Sequence, residues 1–281
     1  MKVGYSTCLF ASTFTPNSSS LTRSTSLTKF TCKMVVGTIN VSPNSTELSV
    51  LVAKYVTERA HKAIAERGVF NVAVSGGSLP KLLANELTKS PYKEDSMWKS
   101  WNLYFADERC VSLSDSDSNY KLVLEEFLNF VSIPSSQIYP IDPSLSPQEC
   151  ALNYSDLIAK QSGMEFTSEK YPIFDLILLG MGPDGHTASL FPNHPLLNVT
   201  DQSVAFILDS PKPPPERITL TLPVLNASRS VAFLAAGGGK KEMLQRIHSE
   251  PNSGIPSQMV NPKSGDLVWF IDEPAAELLN L

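Results

Sequence analysis

Short apolar runs alternating with longer helical patterns constrain this chain more than any other feature. Residues 70–74, 101–106, 174–179, 204–208, 231–235 and 267–271 are β-branched, aliphatic or aromatic, and each is bounded by turn or helix signals. The stretches between them are long enough for helices. The first, 45–66, repeats Leu48, Val52, Tyr55, Val56 and Ala63 near helical spacing, with Gly68 as a stop. This alternation predicts an α/β fold: a doubly wound, mostly parallel sheet with helices on both faces, spanning residues 34–281. Proline-rich stretches at 133–147 and 211–215 read as surface connections, because proline cannot supply a ladder hydrogen bond. There is no internal repeat.

The first residues follow a different rule. Residues 1–46 contain Lys2, Arg23, Lys29 and Lys33 but no Asp or Glu, and residues 1–33 hold fourteen Ser or Thr. That composition reads as a disordered leader or a targeting segment, with Met34 as an alternative start. Cys8, Cys32, Cys110 and Cys150 are scattered without a C-x-x-C pair, which suggests neither a disulfide framework nor a zinc site. A formal net charge of -5 gives no broad attraction to phosphate backbones, so neither nucleic acid nor an anionic membrane is expected as a partner. An anionic small substrate would need a local basic pocket.

The unusual residues all follow expected strands. In open α/β sheets ligands bind beyond the carboxyl ends of the strands, so these segments are expected to converge there. Ser75-Gly76-Gly77-Ser78 allows a tight turn and offers amides at a helix start, a phosphate cradle or simply a capped turn. Asp107-Glu108-Arg109 sets a guanidinium beside two acids, able to clamp a phosphate while the acids hold it, or to form a structural ion pair. Gly180-Met181-Gly182-Pro183-Asp184-Gly185 formally satisfies G-x-G-x-x-G, but the prolines at 192 and 195 interrupt the helix that a dinucleotide fingerprint needs. What remains is a rigid loop carrying Asp184 and His186, an acid and a proton shuttle. His61, His194 and His248 read as structural. Gly237-Gly238-Gly239-Lys240 joins helix amides to an ammonium, again suited to an anion, or is a flexible connection. Ser78 lacks the final glycine of a nucleophile elbow and is assigned to binding.

The segment from Asp175 through Gly180-Met181-Gly182-Pro183-Asp184-Gly185-His186-Thr187 to Ser189-Leu190-Phe191-Pro192 resembles the glucosamine-6-phosphate isomerase/6-phosphogluconolactonase family. Val74 to Ser78, Ala106 to Arg109, Asp117 to Tyr120, Ser210 to Arg217 and Leu222 to Asn226 share the resemblance, which covers about residues 35–279. It implies the three-layer fold of aminosugar-phosphate isomerases. It also implies hydrolysis of 6-phosphoglucono-1,5-lactone, the second oxidative pentose-phosphate reaction, with no cofactor and no metal. Related deaminases carry an Asn-Glu-Pro stretch after the Asp-Gly-His segment and typically Tyr where Arg109 stands; Ser189-Leu190-Phe191-Pro192 departs from that pattern and favours the lactonase branch.

On this resemblance, His186 is expected to deprotonate water and return the proton to the leaving ring oxygen, with Asp184 supporting the loop or the imidazole. Glycine-loop amides would steady the oxyanion. Arg109 and Lys240 are expected to hold the 6-phosphate with Gly76, Gly77 and Ser78, Asp107 is counted with these binding residues, and Arg217 adds a further charge. The partner is a small sugar-phosphate lactone. A deaminating isomerase and a non-catalytic sugar-phosphate sensor are the alternatives. The C-terminal run 267–273 and residues 210–217 look most like animal-type cytosolic members, giving a cytoplasmic expectation against organelle import through residues 1–33. The sequence leaves the oligomeric state open, and a monomer fits.

Overall fold

The computed structural model describes residues 37–281, so the leader reading of residues 1–33 lies outside the described residues. In chain order the strands are β1 (Thr38–Ser42), β2 (Phe70–Val74), β3 (Trp101–Phe105), β4 (Asp107–Arg109), β5 (Ile138–Tyr139), β6 (Glu165–Phe166), β7 (Pro172–Ile173), β8 (Leu176–Gly180), β9 (Val204–Ile207), β10 (Arg217–Leu220), β11 (Ser230–Ala235) and β12 (Asp266–Asp272). Seven of them form one parallel sheet in the order β1-β12-β11-β8-β2-β3-β5.

This sheet is buried on both faces because its strands are apolar at successive positions. Ala73, Tyr104, Ile177, Leu179, Phe233 and Trp269 enter one core. Their neighbours Val72, Val74, Leu103, Phe105, Leu178, Leu234 and Phe270 enter the other. The helix Ser45–Arg67 covers the second core with Leu48, Val52, Val56 and Ala60. Its start is set by the Asn44 side chain, which accepts from the amides of Thr46 and Glu47 at 3.0 Å. Its end is set by Gly68, whose φ of 78° is the left-handed stop that glycine tolerates. On the opposite face lie the helices Pro147–Ala159, Leu222–Ala227 and Lys241–Ser249.

The sequence expectation needs three corrections. Residues 204–208 are not part of the parallel sheet: β9 pairs antiparallel with β10, which pairs antiparallel with β4. Residues 107–109, expected only to follow a strand, themselves form β4, because bonds to β10 give the charged tripeptide a ladder. The strand expected from Phe174 begins at Leu176, since the buried Asp175 carboxylate accepts the Asn71 amide at 2.8 Å and an Arg67 Nη2 donor at 2.9 Å. Cys110 and Cys150 are both free thiols.

Strand order reverses between β2 and β8: the chain steps from β2 to β3 and β5 on one side, then from β8 to β11 and β12 on the other. The loops leaving β2 and β8 therefore separate at their carboxyl ends and open a crevice.

Candidate active site

That crevice is a cavity of about 210 Å³, lined by Ser75, Gly76, Gly77, Ser78, Asp107, Arg109, Asn119, Gly182, His186, Arg217 and Lys240 among others. The four motifs singled out in the sequence thus meet at one edge. Of the residues given a catalytic or binding role there, Asp184 alone does not line the cavity; it stands against the imidazole. Of the last glycine motif, only Lys240 reaches the cavity wall.

The loop after β8 is folded on itself by bonds from the Gly182 amide to the His186 carbonyl and from the Gly185 amide to the Gly182 carbonyl, at 2.9 and 3.0 Å. This turn, rather than a helix, follows Gly180, so the glycine pattern is not a dinucleotide fingerprint. The turn brings His186 Nδ1 to 2.5 Å from Asp184 Oδ1. An ionised carboxylate can only accept, so Nδ1 carries the proton and Nε2 keeps its lone pair. The ring stacks on Phe191, with centroids 4.9 Å apart. Burial lowers the His186 pKa below its ordinary value, with Lys212 adding to the effect and Asp184 opposing it. For Asp184, burial acts upward, but the His186 bond and the charges of His186 and Lys212 outweigh it and hold the carboxyl below its usual value.

Glycine at 182 is required by contact. A Cβ there would stand 2.0 Å from His186 Nδ1 and Cε1 and 2.6 Å from Asp184 Oδ1. Gly76 is under the same constraint from Asn119, whose Oδ1 would be 1.9 Å from an added Cβ.

The cationic side of the cavity departs from the expected clamp in one respect: the two acids do not hold the Arg109 guanidinium. Glu108 is buried and accepts the Arg109, Asn119 and Tyr120 amides, each at 2.7 Å, and so caps the Asn119–Glu126 helix. Burial pushes its carboxyl up to about 7 against the pull of those amides. Asp107 instead accepts the Ser189 hydroxyl at 2.9 Å. Arg109 donates from Nη1 to the Asp117 carbonyl at 2.6 Å, while its buried Nε has no protein partner. Ser75 Oγ and Asn119 Oδ1, also at the cavity, are buried without partners too. The Asn119 amide nitrogen is committed to the Asp107 carbonyl at 2.8 Å, so Oδ1 is the free acceptor.

Arg109 and Arg217 stand directly opposite each other across β4 and β10. Like charges in that register repel, and the arrangement gains from an anion between them. Burial, followed by the Arg109 charge, lowers the Arg217 pKa. Burial and the Lys212 charge lower that of Lys240, whose Nζ donates to the Met181 carbonyl at 2.7 Å. A chain of net charge -5 thus concentrates Arg109, Arg217, Lys212 and Lys240 around one small crevice. Most of the Arg217 donors, however, are spent on the carbonyls of Lys212, Pro213 and Pro214.

Lys212 is the residue the sequence reading did not single out. Its Nζ is 3.3 Å from Asp184 Oδ1 and 3.1 Å from His186 Nδ1. Its signal was a lysine inside a proline run that returns to a buried arginine. Ser189 and Asn119 were likewise visible only as parts of quoted motifs. Ser78 makes no side-chain cap bond, leaving the start of the Leu79–Leu87 helix open on the cavity side. Among the described residues, no group of three or more His, Cys, Asp or Glu is placed to hold a metal ion. No helix among them is long and apolar enough to cross a membrane.

A parallel sheet with helices on both faces and a crevice at its reversal point is the doubly wound α/β arrangement, and its solved neighbours place it in the aminosugar-phosphate isomerase-like class. A solved structure of a monomeric glucosamine-6-phosphate deaminase, 17% identical, shares this fold with a TM-score of 0.69, covering 86% of this chain and 99% of that one. Within that class, the profile of the glucosamine-6-phosphate isomerases/6-phosphogluconolactonase family matches residues 43–269, and the chain belongs to that family. It is 44% identical to rat 6-phosphogluconolactonase over 247 residues, covering 87% of this chain and 95% of the relative. It is 45% identical to a probable chloroplastic 6-phosphogluconolactonase of rice over 240 residues, covering 83% and 73%. The solved 6-phosphogluconolactonase of Trypanosoma brucei superposes with a TM-score of 0.74 at 28% identity, covering 86% of this chain and 98% of that one.

Proposed function

We propose that the chain hydrolyses 6-phosphoglucono-1,5-lactone to 6-phosphogluconate, with His186 as general base and then general acid. The activity is that of its relatives at about 45% identity. The observation that carries the catalytic assignment is the 2.5 Å pairing of His186 Nδ1 with Asp184, which leaves Nε2 as the basic nitrogen of a ring lining the cavity.

Water loses a proton to Nε2 as its oxygen bonds to the lactone carbonyl carbon, and the carbonyl oxygen takes up negative charge. Backbone amides of the glycine-rich loops that have no partner within the protein are the donors suited to that charge. When the tetrahedral species collapses, the bond to the ring oxygen breaks and Nε2 returns the proton to it. Arg109, Lys240 and the open helix start after Gly76-Gly77-Ser78 bind the 6-phosphate, with the unpartnered Arg109 Nε as one donor. Asp107 contributes by fixing Ser189 and, through its carbonyl, Asn119. Arg217 contributes charge with its remaining donor.

Where the deaminase pattern has Asn-Glu-Pro, this chain has Leu190-Phe191-Pro192, whose first two side chains are buried and apolar, so the ring-opening carboxylate is missing. Purified protein given the fresh lactone and, separately, glucosamine 6-phosphate tests the reading. Turnover of the lactone alone is expected, and deamination with no lactone turnover would overturn it. The cytoplasm is the proposed compartment, on the resemblance of residues 210–217 and 267–273. A fluorescent protein fused after residue 46 would stay diffuse, whereas accumulation in an organelle would overturn that placement in favour of import.

A further inference from the structure

The segment between β9 and β10 is proline-rich, and prolines lack the amide that would let such a loop fasten itself. Arg217 supplies the fastening. Its Nε donates to the Pro214 carbonyl at 2.9 Å, and Nη2 donates to those of Lys212 and Pro213 at 2.8 and 2.9 Å. Its Nη1 lies 3.4 Å from the Ser189 hydroxyl, and the residue is only 3% exposed. Ser210 completes the tie, donating its hydroxyl to the Lys212 carbonyl at 2.8 Å and accepting the Lys212 amide at 3.3 Å. A planar guanidinium reading three successive carbonyls fixes the backbone from which the Lys212 ammonium is aimed.

We infer that Lys212 is a positioning residue that drives the proton held by His186 onward to the leaving oxygen, and that Arg217 serves chiefly to hold Lys212 there. This rests on the reading of His186 as the base. Nδ1 already gives its proton to Asp184, and an ammonium has only donors, so the 3.1 Å approach of Nζ to Nδ1 is a contact of charge rather than a hydrogen bond. A neutral imidazole tolerates that neighbour. An imidazolium is repelled by it, while Asp184 attracts it, so the two neighbours set opposing limits on how long the proton stays.

The balance is local. The charged groups facing the imidazole are Asp184 from its own loop, Lys212 from the proline segment and Asp107 from β4, with Lys240 across the cavity and the uncharged Phe191 face beneath the ring. Lys212 is therefore the nearest cation, and its ammonium bond to Asp184 at 3.3 Å also steadies the carboxylate that orients the ring.

The test is the pH dependence of kcat and kcat/KM for the full chain and its Lys212→Met, Lys212→Arg, Arg217→Lys and His186→Gln variants. Removing a like charge at this distance is expected to move the acid limb of Lys212→Met upward by about one pH unit, with kcat falling more than KM changes. Lys212→Arg should restore the limb. Arg217→Lys, which keeps the charge but loses the fork, should move the limb in the same direction as Lys212→Met. Because Lys212 is half-exposed, its variants carry the test even if Arg217→Lys folds poorly. An unmoved limb in Lys212→Met, or a change in KM alone, with His186→Gln inactive, overturns the inference and leaves the base assignment standing. Turnover retained in His186→Gln overturns the base assignment itself.

Discussion

Gly182→Ala separates this account from one in which the glycine loop is merely permissive. The backbone at Gly182 does not require glycine, because its φ lies outside the left-handed region. The obstacle is the imidazole: the new methyl would sit 2.0 Å from Nδ1 and Cε1. Ordinary carbon contact begins near 3.5 Å, so the ring must retreat by roughly 1.5 Å or turn away. Either response breaks the 2.5 Å pairing with Asp184. A misplacement of about 1 Å costs on the order of 10²-fold in rate, so kcat should fall at least about a hundredfold. Stability should change little, since the methyl meets a ring at a cavity edge rather than the sheet. Steady-state kinetics on fresh lactone, corrected for its spontaneous opening, give the rate, and thermal unfolding gives the control. A kcat within a few-fold of the wild type at unchanged Tm would refute the reasoning.

Other consequences can be checked with the same assays. Arg109→Ala should raise KM by about ten- to a hundredfold, the loss of charge-assisted bonds to the phosphate, with a smaller effect on kcat; a thermal defect alone would make Arg109 structural. Because burial lowers the His186 pKa, and the base works only when neutral, activity should persist as pH falls through 6.5 and be lost below it. An acid limb of kcat/KM at or above 6.5 would contradict that environment. Phe233→Ala removes a fully buried ring stacked on Trp269 with centroids 4.1 Å apart. It should cost about 3–5 kcal/mol, or roughly 10 °C in Tm, while kcat of the folded protein holds.

The parallel sheet was legible because the strands that are buried on both faces are apolar at nearly every position. Residues 70–74 were placed to the residue, and the shifted starts and ends elsewhere have local causes, such as the Asp175 side chain that caps the ladder before β8. The smaller antiparallel sheet was not legible. β4 is Asp107-Glu108-Arg109, a tripeptide with no apolar period, held as a strand by its pairing with β10 and by amides that a buried Glu108 accepts. The convergence of the glycine loops, Arg109, His186 and Lys240 followed from their common place after parallel strands. Lys212 escaped for the opposite reason. It comes from a connection between antiparallel strands, where proline content signalled only exposure, and its place depends on an arginine that reads carbonyls, a role residue identity does not reveal.

The most direct measurement of the central claim is acid release from freshly generated 6-phosphoglucono-1,5-lactone, with the spontaneous rate subtracted, for the wild type and His186→Ala side by side. The account predicts excess hydrolysis by the wild type and a loss of about 10²- to 10⁴-fold on substitution, with 6-phosphogluconate binding retained. Equal turnover by the two proteins would contradict it.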